Sequence, residues 1–162
     1  MSVFALSRHE FPRAMRATGS RASALKSELV TKLRAAGLRP TRQRIALGKL
    51  LFATGDRHMT AESLHIEAGK AGAQLSLATV YNTLHQFTGA GLLRQVIVDG
   101  DKTYFDTNTG DHHHFYCEDQ GVLMDIPGDA VRIDGLPKAP AGTEIERVEV
   151  VVRLRSRADR LE

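Results

Sequence analysis

Apolar residues recur at helical spacing through the first half of the chain and change to strand-like alternation in the second. Leu25, Leu29, Leu33 and Ala36 predict a first helix, capped by Ser23 and stopped by Gly37. Leu38-Arg39-Pro40-Thr41 turns the chain into a second helix through Ile45, Leu47, Leu50, Leu51 and Phe52, which ends near Gly55. Thr60 caps a third through Leu64 and Ala68, closing at Gly69 or Gly72. Ser76 caps a fourth, in which Leu77, Val80, Leu84 and Phe87 share one side and Gly89 with Gly91 makes the stop. Val96-Ile97-Val98, the turn Asp99-Gly100 and Thr103-Tyr104-Phe105 then read as a hairpin. A polar hinge follows at 107–111. Beyond it lie strands at 113–117 and 122–126, a short helix near 129–134, a Pro-bounded loop and a β-branched strand at 147–154.

Helix, stop and hairpin in this order make the recognition helix and wing of a winged helix-turn-helix. At about 100° per residue, the side of the fourth helix opposite its apolar stripe carries Ala78, Thr79, Asn82, His85 and Gln86, with Tyr81 on the flank. A merely solvated face collects Lys and Glu, whereas a face that reads base edges wants amides, hydroxyls and groups that meet a thymine methyl. Charge points the same way. The chain is formally +3, but residues 1–44 hold ten Arg and Lys against two acids, while the rest holds twelve against seventeen. Such polarity is the footprint of a nucleic-acid partner at one end. Arg39, Arg42 and Arg44, between two predicted helices, suit phosphate or groove contacts better than the basic tail does.

The reading is therefore an α/β (α+β) protein with an amino-terminal winged helix-turn-helix domain and a small α/β dimerisation domain. Residues 1–22 are expected as a mobile basic tail, 23–107 as the DNA-binding domain, 108–111 as the hinge, 112–156 as the dimerisation domain and 157–162 as a carboxy-terminal tail. The second unit is too small to cover its own apolar strands, so pairing with a second copy is expected. No apolar run approaches the roughly 20 residues of a membrane span, and the opening lacks the order of a secretory signal, so a cytoplasmic protein with no membrane partner is expected. A single cysteine, Cys117, excludes an intramolecular disulfide and any zinc site that needs two thiolates from one chain.

Chemistry concentrates in Asp111-His112-His113-His114-Phe115-Tyr116-Cys117. Side chains alternate along a strand, so His112 and His114 converge while His113 faces elsewhere. Imidazole pairs suit zinc, ferrous iron and manganese, and also serve haem as axial ligands. Taken alone, His58 reads as an ordinary surface histidine and Cys117 as a small buried residue.

Gly37-Leu38-Arg39-Pro40-Thr41-Arg42-Gln43-Arg44, Ala78-Thr79-Val80-Tyr81-Asn82-Thr83-Leu84, Ala90-Gly91-Leu92-Leu93 and His112-His113-His114 together resemble the ferric uptake regulator (Fur) superfamily. The Tyr-Asn-Thr-Leu variant, the triple histidine and the closing Val-Val-Arg-Leu-Arg are most similar to its iron response regulator (Irr) branch. The resemblance implies a homodimer that binds AT-rich, two-fold operator DNA and controls iron and haem metabolism genes, many such members responding to haem. It implies a regulatory divalent metal (Fe2+, Mn2+ or Zn2+) held between the domains by His58, Asp106, His112 and His114. Asp106 is there a shorter substitute for the Glu of the ferric uptake regulators themselves. Haem would fall to His112, His113 and His114, because Cys117 is followed by Glu118 rather than by the proline of the cysteine-type haem motif. No structural four-cysteine zinc is implied, since Gln120 stands where the partner of Cys117 would be. A second metal site in the dimerisation domain, to which His113 would belong, has Arg132 near the place of an expected acid. The DNA contacts implied are Arg39, Thr41, Arg42, Ser76, Ala78, Thr79, Tyr81, Asn82 and His85, with the Tyr81 ring on thymine methyls and Arg39 in a narrow minor groove. An enzyme is not expected, because no His-Glu-x-x-His or nucleophile-and-base pattern occurs. The rival readings are a metal-activated Fur- or peroxide-type repressor and a metal or haem carrier that does not touch DNA.

Overall fold

A computed structural model describes residues 14–99 and 102–155, the side chains of 14–21 and 99 excepted. Four helices come first: α1 (Ala14–Ala35), α2 (Arg42–Phe52), α3 (Ala61–Lys70) and α4 (Leu77–Gly89), with the two-residue strand β1 (His58–Met59) before α3. Strands β2 (Arg94–Asp99) and β3 (Lys102–Asp106) follow, then β4 (His112–Cys117), β5 (Val122–Pro127), a single 3-10 turn and β6 (Val151–Leu154).

The helices begin and end where the sequence supplies partners for their free backbone groups. Thr41, Thr60 and Ser76 accept from the N–H groups of Arg44, Ser63 and Thr79. Thr60 and Ser63 cap each other reciprocally. At the far ends, Gly37 and Gly91 take φ of 74° and 72°, which lets the N–H of Leu38 reach the carbonyl of Leu33 and that of Leu92 reach Phe87. Leu38 and Leu92 then pack on the helical core. That core is closed: Leu33, Leu47, Leu51, Leu64, Val80, Leu84, Phe87 and Phe105 are fully buried.

Two three-stranded sheets complete the molecule, in the orders β1-β3-β2 and β5-β4-β6, with β6 parallel to β4 and every other pairing antiparallel. One face of the second sheet lies on the wing. Val96, Val98 and Tyr104 from the first sheet form a common cluster with Tyr116 and Leu123, with Val151 packed against it. The Tyr104 hydroxyl donates to the Gly121 carbonyl at 2.6 Å, and the Arg153 guanidinium donates to the Val98 carbonyl.

Several expectations are corrected. The first helix begins at Ala14, not at Ser23, so residues 14–22 of the expected tail are helical; an Ala- and Arg-containing stretch has the propensity for this without apolar periodicity. Residues 1–13, the hairpin turn at 100–101 and the tail at 157–162 lie outside the described residues. Leu77, assigned to the apolar side of the fourth helix, occupies its first turn short of the core and is exposed, and Thr83 is buried in the stripe instead. The helix near 129–134 reduces to Gly128–Ala130, because so short a stretch with Val131 and Ile133 cannot offset helix nucleation. The last strand spans only Val151–Leu154. The next ladder partners are already occupied: the His112 carbonyl accepts from Arg94, and the Val150 N–H donates to His113 Nδ1.

Candidate metal centre and nucleic-acid face

Strand register assembles the hinge cluster. His58 and Arg94 both pair directly with Asp106, so the three side chains form one row at the end of the wing sheet. On the second sheet His114 pairs with Asp125, and His112 stands two residues before it on the same face. The two rows meet across the hinge. His112 Nε2 lies 2.8 Å from Asp106 Oδ2, and His58 Nε2 and His114 Nε2 each lie 3.4 Å from it. Asp125 Oδ1 is 2.7 Å from His58 Nε2 and 3.6 Å from His112 Nε2. One ligand atom from each of His58, Asp106, His112, His114 and Asp125 falls within 4.8 Å of every other.

Four of the five inward-facing groups are held from behind. The ring of His112 turns Nδ1 to the Gly110 carbonyl at 2.9 Å, and His114 Nδ1 is 3.1 Å from Glu149 Oε1. Asn108 holds both carboxylates by their outer oxygens: its backbone N–H donates to Asp106 Oδ1 at 2.8 Å and its side-chain amide to Asp125 Oδ2 at 2.9 Å. The polar stretch after Asp106 thus ties the two carboxylates together through Asn108. Electrostatics follow from the crowding. Burial pushes Asp106 up, but His114, His58 and the Asn108 N–H outweigh it and hold the carboxyl well below the ordinary carboxylate range. Burial likewise pulls His114 down, yet Asp106 and Glu149 raise it to about 9. Glu149 is lowered by His114, against burial, with help from Arg94.

The donor set fits a divalent ion. All five groups are nitrogen or oxygen ligands without thiolate, a set that suits manganese, iron and zinc. His112 and His114 bring Nε2 atoms to 2.9 Å, and His58 Nε2 beside Asp106 and Asp125, like His114 Nδ1 and Arg94 Nη2 beside Glu149, makes close ion-pair contacts rather than hydrogen bonds of ordinary geometry. Such convergence suits an ion, and the outer nitrogens of His112 and His114 face a second layer of partners. His113 is also buried but faces the other side of β4, where its Nδ1 accepts from Val150. Arg132 is exposed, and the hinge cluster is the one such group of His, Cys, Asp or Glu among the described residues. Cys117 is a buried free thiol.

Sequence reading missed Asp125, Arg94 and Glu149. An acid inside the apolar run Val122-Leu123-Met124-Asp125-Ile126 was a signal, but only the pairing with His114 gives it meaning.

In the helical unit, Ala78, Asn82 and His85 are exposed along α4, and Thr79 and Tyr81 are half-buried. Ser76 and Thr41 spend their hydroxyls on helix caps. Arg39 and Arg42 are exposed at the entry to α2. Arg44 is a brace instead: its guanidinium donates to Gln86 Oε1 at 2.9 and 3.2 Å and to the Arg39 carbonyl at 2.7 Å. Thr41, Arg44, Thr79, Asn82 and Gln86 share the groove between α2 and α4. The Tyr81 hydroxyl donates to Glu62 Oε1 at 2.5 Å, and its ring stacks on His85.

The model for the Ferric uptake regulator family matches residues 35–152. The chain belongs to the ferric uptake regulator family. It is a transcriptional regulator of the metal-responsive kind found in that family. The ferric uptake regulation protein of Pseudomonas aeruginosa is 36% identical over 97 residues, which cover 59% of this chain and 72% of the relative. The peroxide-responsive repressor PerR of Staphylococcus aureus is 33% identical over 99 residues, covering 61% and 66%. Among solved structures, the ferric uptake regulator from P. aeruginosa with manganese superposes with a TM-score of 0.60 at 28% identity, over 80% of this chain and 98% of that one. The Vibrio cholerae ferric uptake regulator gives 0.62 at 22% identity, over 78% and 98%, a likeness of fold. The winged helix-turn-helix followed by a small α/β domain is therefore the fold expected from the sequence. No helix among the described residues is long and apolar enough to cross a membrane.

Proposed function

We propose that the protein is a dimeric repressor that binds AT-rich, two-fold operator DNA through α4 and the entry to α2, and whose DNA affinity is set by a divalent ion at the hinge. The observation that carries this reading is the convergence of five nitrogen and oxygen ligands from two sheets onto one ion-sized space. His58 and Asp106 would hold the ion from the wing sheet, and His112, His114 and Asp125 from the second. A bound cation supplies charge neutralisation for Asp106 and Asp125 and a bond shared by both units. These ligands fix the angle between the units, and that angle sets the spacing of recognition helices in a dimer. An ion alters DNA affinity only by its preference for one arrangement, and about 1.4 to 2.7 kcal/mol yields a factor of roughly 10 to 100.

The dimer is supported by the outer face of the second sheet. Phe115, Val152 and Leu154 are half-buried there, and Val122 and Met124 remain 42% and 41% exposed. Control of iron and haem metabolism genes, in the cytoplasm, is the physiological setting we assign on the Irr-like motifs. Haem is a weaker fit than an ion. His112, His113 and His114 are at most 7% exposed, so haem ligation requires the hinge to open.

The test measures affinity for an AT-rich palindromic duplex against a random duplex, with metal-free, manganese-loaded and haem-loaded protein. Manganese should change operator affinity about tenfold or more and leave random DNA little altered. Equal affinity for both duplexes in all three states would remove the regulator reading in favour of a metal or haem carrier. A response to haem alone would shift the sensor assignment to the Irr type, and a response to metal alone to the Fur or peroxide type.

A further inference from the structure

The row His58, Asp106, Arg94 on the wing sheet faces a row on the second sheet, and the first two members find their counterparts among the ligands already described. The third does not belong to the ligand set. Arg94 is 4% exposed, and its Nη2 lies 3.0 Å from Glu149 Oε1. Its Nη1 donates to the carbonyls of Gly110 and His112, each at 3.2 Å. The same Glu149 oxygen stands 3.1 Å from His114 Nδ1, the nitrogen that faces away from the ligand cluster. One carboxylate oxygen therefore touches a cation rooted in the wing and the outer nitrogen of a ligand on the second sheet.

We propose that Glu149 is a positioning residue for His114 and that, with Arg94, it forms a cross-hinge tie that needs no ion. This rests on reading the hinge cluster as a metal site, and it adds the device that keeps the site assembled before metal arrives. A carboxylate behind an imidazole fixes which nitrogen carries the proton and which way the ring points. Arg94 anchors that carboxylate and, through the Gly110 and His112 carbonyls, the start of β4. Neither Arg94 nor Glu149 offers an atom to the cluster itself. Their effect on metal is exerted through the ring of His114 and through the angle between the sheets.

Glu149 lies in an irregular, exposed segment, so its replacement leaves both cores intact. Three readouts on the full chain test the tie: manganese affinity, the imidazole Nδ1–H resonance of His114, and amide exchange of β2 in chelator-treated protein. Glu149→Ala should lower manganese affinity about 10- to 100-fold, the range for an outer-layer partner of a metal ligand. It should also lose the protected His114 Nδ1–H signal and speed exchange along β2 without metal. Glu149→Gln keeps an acceptor for Nδ1–H but not the charge facing Arg94, so it should retain the His114 signal while exchange in β2 still rises. Parental affinity, resonance and exchange in Glu149→Ala would overturn the proposal. A parent chain that takes up no manganese would overturn the metal reading separately, and the resonance and exchange measurements would still decide the tie.

Discussion

The two halves of the molecule solve the burial problem differently. The helical unit closes on itself: four helices and β3 surround a core whose central leucines and phenylalanines reach zero exposure. The second sheet has no such interior. It places one face on the wing through Tyr116, Leu123 and Val151, leaves the other half-covered, and runs from Val131 to Val150 without a regular element. A unit that cannot finish its own core finishes it with a neighbour, and the neighbour on one side is the DNA-binding domain. The His and Asp cluster sits at that junction because the junction is where two independently built rows of side chains meet.

The largest contrast should appear in stability. Leu64→Ala and Leu84→Ala empty space in the closed core and should each lower unfolding free energy by about 2 to 5 kcal/mol. Val122→Ala and Met124→Ala, on the half-exposed face, should cost the fold less than about 1 kcal/mol and instead weaken self-association. Denaturant titration and sedimentation of the metal-free protein separate these effects. Leucine replacements that are as mild as the surface ones would show that the helical unit is not the self-sufficient half.

His112→Ala combined with His114→Ala tests the junction. Two of three imidazoles leave the cluster, and manganese affinity should fall by more than about 100-fold, beyond the range of outer-layer changes. His113→Ala, on the other face, should alter it far less. Metal-free DNA affinity should stay near parental in the double variant, because neither residue lies on α4. Calorimetric titration with manganese and operator anisotropy read both arms, and retained manganese binding would dissolve the proposed site.

What sequence alone could reach tracks the same division. The helical unit was legible because caps, glycine stops and apolar spacing are local signals: Thr41, Thr60, Ser76, Gly37 and Gly91 each act within a few residues of themselves. Alternation on a strand separated His112 and His114 from His113. Asp125 and Arg94 take their places from register between strands distant in sequence, and Glu149 from an ion pair with Arg94, which no local pattern displays. The overlong last strand failed for the same reason, since β propensity cannot know that the His112 carbonyl is taken by Arg94. His58 and Asp106 entered the expected ligand set only through the resemblance, and the structure supplies the geometry that their spacing does not.

Acid–base behaviour sharpens the contrast further, because the largest shifts fall on two buried groups of the junction, His114 and Asp106. His114 titrates near 9 when folded against an ordinary 6.5, so its stabilising contribution is complete below pH 6.5 and is lost as pH rises through 9. Asp106 is held below its ordinary 3.8, so its contribution is present above 3.8 and is lost as pH falls further. Metal-free protein should therefore lose up to about 3 kcal/mol between pH 6.5 and 9.5. At the proposed site manganese would compete with the proton for His114 Nε2, so its affinity should rise over the same interval. Unfolding curves in chelator that stay flat across that window would remove His114 from the ion-paired network.

The remaining expected effects concern the proposed recognition face on α4. Tyr81 is positioned by Glu62 at the hydroxyl and by His85 at the ring, so its aromatic edge is held rather than free. Tyr81→Ala should reduce operator affinity by about 1 to 3 kcal/mol with little change on random DNA, as the loss of a base contact does. Tyr81→Phe keeps the ring and loses only the Glu62 bond, so a smaller loss is expected. Arg39 is exposed at the turn braced by Arg44. Arg39→Ala should weaken operator and random DNA alike and reduce the slope of log affinity against log salt by about 1. Salt titrations of both duplexes therefore sort the two residues: a sequence-dependent loss for Tyr81 and a charge-dependent one for Arg39. If Tyr81→Ala binds the operator as tightly as the parent, the outward face of α4 is not the reading surface, and the closed half of the molecule has lost its proposed task.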